Sequence, residues 1–224
     1  FKFSNIDCRK FFKKNLNKKY DLVINLAAIV GGREVIEYNP LAVAEDLEID
    51  TSFWRWTVKN KKKIKHVITY SSSAAYPIHL QKRKKYRLLK EADIDFNRMG
   101  QPDMTYGWSK LTGEYLAHIA AKYYGVSVTC IRPFSGYGED QDLTYPVPAI
   151  ARRAANKEEP FEVWGSGKQG SDFVHIDDVL DCTLLAMEKI TDGSAINIGQ
   201  GRLTSFLEII DLFTEFAGYS PEIK

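Results

Sequence analysis

The feature that most constrains the fold is an alternation of short apolar runs with longer segments of helical periodicity. The runs at residues 20–28, 64–70 and 126–131 are short and contain β-branched side chains, which is typical of buried strands. Five segments have apolar residues at helical spacing: 40–58, 105–124, 145–155, 177–190 and 205–217. Strands that alternate with helices at this spacing predict an α/β fold built of parallel layers.

Local signals mark the starts of two of these helices. Asp177 and Asp178 suit a first helical turn, because carboxylates are favourable near its free N–H groups. Ser205 followed by Glu208 has the spacing of a capping box, in which each side chain binds the backbone of the other residue. We therefore expect helices to begin close to these residues.

Composition excludes several classes of protein. The chain of 224 residues is 44% hydrophobic with a formal net charge of +2, which is unlike a disordered segment or a nucleic-acid-binding tail. Its three cysteines are far apart and not in Cys-x-x-Cys pairs, so neither a disulfide framework nor a metal site is predicted. No apolar run approaches the ~20 residues of a membrane span, and no signal peptide is recognised. We expect a cytoplasmic protein with no nucleic-acid or membrane partner.

Two tyrosine–lysine pairs have the spacing that puts both side chains on one helix face, Tyr86/Lys90 and Tyr106/Lys110. In such a pair the ammonium can lower the pKa of the phenol and hold a ribose hydroxyl, so that the phenol works as a general base or acid. Tyr106 opens a long amphipathic segment, whereas Tyr86 lies in the basic stretch 81–90 with no strand ending beside it. Tyr106 is therefore preferred. The basic stretch is interpreted as a solvated loop, with contact to substrate phosphates as the alternative.

Two strand-like runs end in small residues that suit a ligand site. The run 64–70 is followed by three serines at 71–73, and a serine at the carboxyl end of a parallel strand can bind a substrate hydroxyl and relay its proton. The run 20–28 ends in Ala27 and Ala28, whose small side chains let a flat cofactor approach the backbone. Each pattern alone is also typical of an ordinary turn.

Taken in chain order, these motifs and several others form a recognisable series. It consists of Asn25-Leu26-Ala27-Ala28, Ser71-Ser72-Ser73-Ala74-Ala75-Tyr76-Pro77, Tyr106-Gly107-Trp108-Ser109-Lys110, Arg132-Pro133-Phe134 with Tyr137-Gly138, Gly165-Ser166-Gly167-Lys168-Gln169, residues 172–178, and Asn197-Ile198-Gly199. The series resembles the NAD-dependent epimerase/dehydratase family, within the extended short-chain dehydrogenases/reductases, over nearly the whole chain. The segment Asp7-Cys8-Arg9 is similar to the family's adenine-contact segment.

The resemblance implies a doubly wound parallel sheet. Residues 1–134 would form a Rossmann-like NAD-binding domain that lacks its first β-α-β unit. Residues 135–224 would form a small substrate-binding region interleaved with the last Rossmann elements. The implied cofactor is NAD, with NADP as an alternative, and the implied substrate is a nucleotide sugar.

The resemblance also assigns roles to individual residues. Tyr106 would be the catalytic acid/base, Lys110 would hold the nicotinamide ribose, and Ser72 would be the catalytic serine, with Ser73 as an alternative. The implied cofactor contacts are Asp7, Cys8, Leu26, Ala27, Ala28, Tyr106, Lys110 and Pro133. The implied substrate contacts are Ser73, Ser135 and Gln169.

One position bears on the reaction. Two residues after the catalytic serine, dehydratases of the family carry an acid, whereas 3,5-epimerases and the epimerase-reductases that make fucose carry a cysteine. This chain has Ala74, which offers no acid or base. The resemblance therefore favours a nucleotide-sugar epimerase that works by hydride transfer through a transient keto-sugar. A similarity of residues 161–165 and of the pair Gly31-Gly32 to GDP-mannose 3,5-epimerases leaves the subfamily open.

The alternatives are a reductase or dehydratase of the same family, or a non-catalytic nucleotide-binding module. Departures from the family pattern bear on them. The glycine-rich loop that receives the cofactor pyrophosphate is absent, so we expect this chain to bind NAD poorly. Ser171 replaces an arginine that usually binds the nucleotide phosphates. Ser135 and Leu47 each replace a usual asparagine.

Aromatic residues on two helices predict an assembly. Phe53, Trp54 and Trp56 lie on the segment 40–58, and Tyr115 lies on the next long helix. Two wide aromatic faces exceed what one sheet face buries, and similar family members pair through these helices. We expect a homodimer in which at least one of Trp54, Trp56 and Tyr115 is buried between subunits. The alternative is that Phe53 and Trp56 pack inside the subunit.

Overall fold

The computed structural model describes residues 5–29, 37–81 and 87–224. Its strands are β1 (Tyr20–Asn25), β2 (Ile64–Tyr70), β3 (Val128–Pro133), β4 (Ser135–Tyr137), β5 (Gly170–Ser171), β6 (Phe173–His175), β7 (Asp192–Ile198) and β8 (Thr204–Ser205). Its helices are α1 (Cys8–Phe11), α2 (Pro40–Lys59), α3 (Ile78–Gln81), α4 (Met104–Tyr124), α5 (Pro146–Ala155), α6 (Ile176–Lys189) and α7 (Phe206–Phe216). Single 3-10 turns lie at Lys61–Lys63, Ser73–Ala75 and Glu91–Asp93. Tyr86 and the pair Gly31-Gly32 lie outside the described residues.

The five helices predicted from periodicity are confirmed, each to within one residue at either end. The capping box at the start of α7 is also confirmed. The Ser205 hydroxyl accepts a hydrogen bond from the Glu208 N–H at 3.2 Å, and the Glu208 carboxylate accepts one from the Ser205 N–H at 2.6 Å. Local signals fix these helix ends because capping involves only residues that are close in sequence.

The chain divides into two compact units, and the first comprises Phe1–Pro133 with Asp181–Ile198. Its centre is a four-stranded parallel sheet in the order β1-β2-β3-β7, which confirms the α/β fold class. Strand β2 has the predicted bounds, whereas β1 ends at Asn25 and β3 begins at Val128. Strand β7 was not predicted. Its sequence is interrupted by polar residues and glycine, so it lacks a continuous apolar run.

The aromatic stripe of α2 is buried within the first unit, which corrects part of the expected dimer interface. Phe53, Trp54 and Trp56 are only 1%, 4% and 5% exposed, in a core cluster that includes Val67 of the sheet. The Trp56 indole N–H donates to the Lys14 carbonyl at 2.9 Å. The prediction that Trp54 or Trp56 is buried between subunits is therefore wrong, because these rings already fill the space beneath their own helix.

The second unit comprises Phe134–Leu180 with Gly199–Lys224. Helices α5 and α7 share an apolar core in which Phe161 and Ile210 are buried. Two short strand pairs accompany this core, β4 with β6 in parallel and β5 with β8 antiparallel. Within the ranges described above, no helix is long and apolar enough to cross a membrane.

Candidate active site

The carboxyl ends of three neighbouring strands carry most candidate site residues of the first unit. Strand β1 ends directly before Leu26, β2 ends two residues before Ser72, and β3 ends at Pro133. Because these parallel strands are neighbours in the order β1-β2-β3, the segments leave the sheet at one edge. The topology therefore gathers residues that are distant in sequence.

The turn after β2 orients Ser72. This residue has an extended backbone, and its Oγ accepts a hydrogen bond from the Ala74 N–H at 3.2 Å. The bond caps the 3-10 turn Ser73–Ala75, which is called the serine turn below. A hydroxyl that accepts from the backbone keeps its own proton free to donate to a substrate oxygen or a phenolate. Ser72 and Ser73 are both half-buried, so neither hydroxyl is sealed inside the core.

Helix α4 packs its first turn against this serine turn. The Asp103 N–H, at the start of the helix, donates to the Ala74 carbonyl at 3.0 Å. A Cβ on Gly107 would lie 2.4 Å from the same carbonyl oxygen, so the close approach requires glycine. The contact brings the helical turn that carries Tyr106 against the turn that begins at Ser72.

Tyr106 and Lys110 are neighbours on this helix. The Lys110 Nζ lies 5.4 Å from the centroid of the Tyr106 ring, and both side chains are half-buried. The arrangement can therefore present a phenol, an ammonium and a serine hydroxyl to one ligand. The catalytic roles of these three residues stay predictions.

A buried ion pair supports the serine turn, and the sequence analysis did not identify it. The Arg132 guanidinium donates from Nε and Nη2 to the two carboxylate oxygens of Glu114, at 2.8 and 2.6 Å, and both side chains are 2% exposed. The Ser71 hydroxyl also donates to Glu114. The Arg132 Nη1 donates to the Tyr76 hydroxyl at 2.8 Å and to Asn197 Oδ1 at 3.2 Å. These bonds tie both ends of the serine turn to α4, β3 and β7.

The adenine-side candidates lie at the start of α1. The Asp7 carboxylate accepts hydrogen bonds from the side chain and the backbone N–H of Arg9, which lower the pKa of Asp7 to about 2. Arg9 also pairs with Glu45 and Glu48 of α2, at 3.1 Å each. Burial raises the pKa of the half-buried Cys8 thiol, so Cys8 stays protonated and unreactive at neutral pH. Asp7 is therefore a fixed anion, already engaged by Arg9.

The segment after β1 is small and open. Leu26 is 71% exposed, and Ala27 and Ala28 are half-buried. The Ala27 N–H donates to Asn25 Oδ1 at 3.3 Å. The small side chains of the two alanines suit the approach of a flat ligand.

Two candidate substrate residues lie in the second unit. The Ser135 and Ser171 hydroxyl oxygens are 2.5 Å apart and hydrogen-bonded. Ser171, at the usual arginine position of the family, is thus bonded to Ser135, at the usual asparagine position. The Gln169 amide donates to the Trp164 carbonyl at 2.6 Å. The Trp164 side chain is 92% exposed, which the sequence analysis did not anticipate. The two candidates Ser135 and Gln169 are thus held by different partners.

Sequence reasoning also missed two acids on α2. Val43, Asp46, Asp50 and Phe53 are three or four residues apart, so they share one helix face. Val43, Asp46 and Phe53 are buried, and Asp50 is half-buried. Acids within an apolar stripe were a visible signal, because carboxylates are rarely buried without a partner.

Comparison with known proteins finds a family and relatives that match most of the chain. The family model for the NAD dependent epimerase/dehydratase family matches residues 3–199. A putative UDP-glucose 4-epimerase of Methanocaldococcus jannaschii is 27% identical over 98% of this chain and 69% of its own length. The chain spans between 41% and 69% of the full length of eight curated relatives.

Two solved structures of nucleotide-sugar enzymes are also similar. The UDP-glucose 4-epimerase of Thermotoga maritima, solved with UDP-glucose, has a TM-score of 0.78 and 26% identity over 97% of this chain and 67% of that one. The UDP-glucuronic acid 4-epimerase of Bacillus cereus, solved with UDP-glucuronic acid and NAD, has a TM-score of 0.76 and 25% identity over 98% and 65%.

Proposed function

Because the chain belongs to the NAD-dependent epimerase/dehydratase family, we propose that it is a nucleotide-sugar epimerase using bound NAD. The homologues and structural neighbours are nucleotide-sugar epimerases, reductases and a decarboxylase, and the family uses NAD or NADP. The observation that carries the choice of epimerisation is the turn Ser73–Ala75. Ala74 supplies no acid or base beside Ser72, so the turn itself adds no group for water elimination or for proton exchange at a second carbon.

In the proposed reaction, Tyr106 takes the proton of one sugar hydroxyl while the hydrogen on the same carbon leaves as hydride. Ser72 donates a hydrogen bond to the reacting oxygen and so shares the developing charge. Tyr106 then returns its proton when hydride is restored to the opposite face of the keto-sugar. This sequence inverts one carbon and leaves no net change in oxidation.

The residues at the carboxyl-terminal edge of the sheet are the proposed contacts of the nicotinamide and its ribose. Ala27 and Ala28 have small, half-buried side chains just beyond the carboxyl end of β1, and Lys110 has an ammonium that can donate to ribose hydroxyls. Bound NAD would supply the hydride acceptor, which the chain's own side chains cannot provide. Asp7 and Cys8 at the start of α1 are the proposed adenine contacts.

The second unit is the proposed substrate region. Its bonded hydroxyls at Ser135 and Ser171 offer neutral donors and acceptors in place of an arginine. Arg132 is committed to Glu114, so phosphate binding falls to other basic groups. We also propose a cytoplasmic location, in keeping with the three free cysteines Cys8, Cys130 and Cys182.

The test is a reaction of the full-length protein with NAD and either UDP-glucose or UDP-glucuronic acid, followed by proton NMR. An epimerase brings the sugar and its C4 epimer to equilibrium without net accumulation of NADH. A reductase forms no epimer in this mixture, and it consumes one NAD(P)H per keto-sugar only when a nucleotide keto-sugar and NAD(P)H are supplied instead. A non-catalytic module does neither, and this result would contradict the proposal.

Substitution of the proposed acid/base sharpens the assay. Tyr106→Phe removes the ionisable hydroxyl and is expected to lower turnover by ~10²–10⁴-fold with the fold intact. Tyr123→Phe is the matched control, because Tyr123 is on the same helix and 67% exposed. Equal turnover in the two variants would make Tyr106 a bystander.

A further inference from the structure

Asp46 is a buried acid beside the segment proposed to line the cofactor, and one of its carboxylate oxygens lacks a hydrogen-bond donor among the described residues. It is 2% exposed, and its Oδ1 accepts a hydrogen bond from the Ile29 N–H at 2.5 Å. Its Oδ2 is buried and has no hydrogen-bond partner among the residues that the structure describes. Ile29 directly follows Ala28, so the acid adjoins the segment proposed to line the cofactor. A buried carboxylate oxygen without a partner is costly unless a proton or a ligand satisfies it.

Asp50, one helical turn further along α2, fits into a gap on α4. A Cβ on Gly113 would lie 2.8 Å from Asp50 Oδ2, so the carboxylate occupies the space that this glycine leaves. Gly113 is three residues after Lys110, which puts both on one face of α4. The Lys110 ammonium interacts electrostatically with both Asp50 and Asp46. Gly113 therefore leaves room for the Asp50 carboxylate against α4, on the helix face that also carries Lys110.

The surroundings favour a shared proton on this pair of acids. Burial raises the pKa of Asp50 to about 7, with Lys110 opposing the shift and Asp46 adding to it. Burial likewise raises the pKa of Asp46. Two carboxyl groups beside one ammonium are balanced when the pair retains a single proton, because Lys110 is the one cation that interacts with them among the described residues.

Three elements contribute the other groups around the pair. Helix α4 contributes Lys110, and α2 itself contributes Glu45, which raises the pKa of Asp46 further. Strand β3 contributes Cys130, whose thiol interacts with Asp50 and with the ion pair of Glu114 and Arg132. Burial raises the pKa of Cys130 well above its usual value, so the thiol is uncharged. Among the described residues, Lys110 is therefore the cation that interacts with these acids.

We propose that Asp50, backed by Asp46, is a positioning residue that holds the Lys110 ammonium in place for the cofactor ribose and exchanges one proton as it does so. The inference rests on the proposed function for the role of Lys110. An ammonium has three N–H donors, so Lys110 can bind a carboxylate and still donate to a ribose hydroxyl. Below neutral pH Asp50 gains a proton, and Lys110 then faces one carboxylate fewer.

The contact is tested by carbon NMR of the full-length protein labelled at aspartate carboxyl and lysine Cε carbons, titrated from acid to alkaline pH. We expect one aspartate carboxyl signal to titrate near pH 7 and the Lys110 Cε signal to shift with the same midpoint. Asp50→Asn, which keeps the side-chain shape, should abolish both shifts. Asp211→Asn, on the exposed side of α7, should change neither.

If the Lys110 Cε signal of the wild-type protein does not shift with the aspartate midpoint, the proposal is overturned. Lys110→Met provides the reciprocal test, and it stands even if Asp50→Asn does not fold. Removing the ammonium should move the aspartate midpoint upward, since the cation favours the ionised carboxylate. An unmoved midpoint would likewise overturn the proposal.

The positioning role is then tested by the pH profile of epimerisation. The wild-type kcat/KM should show an ionisation near pH 7 that Asp50→Asn lacks, while Asp211→Asn retains it. An unchanged profile in Asp50→Asn would overturn the positioning role and leave the proposed function standing. If the wild-type protein transforms no nucleotide sugar, the proposed function fails, and the Lys110 signal still decides whether Asp50 holds this ammonium.

Discussion

The buried ion pair of Glu114 and Arg132 gives the sharpest prediction about stability. Glu114→Ala removes the acceptor of two charged hydrogen bonds, at 2.8 and 2.6 Å, and that of the Ser71 hydroxyl. Arg132 is then left 2% exposed without a counter-charge. Such a guanidinium cannot neutralise itself by losing its proton, because arginine stays protonated in proteins.

The expected loss follows from this geometry. Breaking one side of a buried ion pair typically costs about 3–5 kcal/mol in the free energy of unfolding, chiefly through the uncompensated charge. A domain has only about 5–15 kcal/mol in total. Glu114→Ala should therefore remove a large share of the stability of the first unit, while replacement of both partners by apolar residues of similar volume should cost far less.

Urea unfolding monitored by tryptophan fluorescence measures the effect, since Trp54 and Trp56 are buried in the first unit. The matched control is Glu48→Ala in the same unit, which breaks the pair with Arg9. Those two side chains are 64% and 30% exposed. Exposed pairs contribute about 0–1 kcal/mol, so the control should lose little.

The comparison can refute the reasoning directly. If Glu114→Ala and Glu48→Ala shift the urea midpoint equally, with unchanged slopes, then burial does not govern the strength of these ion pairs. If the apolar double replacement Glu114→Leu with Arg132→Met is as unstable as Glu114→Ala, the cost does not come from an unpaired charge.

Three further predictions concern the turn, acid stability and assembly. Gly107→Ala puts a Cβ 2.4 Å from the Ala74 carbonyl oxygen, so it should lower kcat and cost about 1–3 kcal/mol in chemical denaturation, whereas Gly136→Ala, in open space, should cost much less. Burial lowers the pKa of His66, so as the pH falls the unfolded chain binds a proton on this residue before the folded chain does. The melting temperature should therefore fall as the pH drops below 6.5, and it should fall less steeply in His66→Gln. Tyr115 is 46% exposed and stays in the proposed homodimer interface, so sedimentation equilibrium of the full-length protein should give a dimer that Tyr115→Glu dissociates; a wild-type monomer would contradict this.

Periodicity in the sequence determined the helices and two buried strands. Helical spacing repeats within a few residues, and caps such as Ser205 with Glu208 are local, so α2, α4 and α7 were predictable almost to the residue. The same local logic put Tyr106 and Lys110 on one helix face. Strand β7 was not predicted because only Gly193 and Ile198 in it are buried, which leaves little hydrophobic pattern to detect.

Periodicity fixes which residues share a face, but it does not say what covers that face. The α2 stripe was interpreted as part of a subunit interface, with a core as the alternative, and only the packed sheet showed that Trp54 and Trp56 are interior. Likewise, the sequence does not reveal that Glu114 meets Arg132 or that Asp50 fills the gap at Gly113. Each of these contacts joins residues that are not neighbours in the chain. Each contact forms only if the atomic positions are right to within a few tenths of an ångström. Only the tertiary structure decides them, because packing in a dense interior is specific to the shapes that meet there.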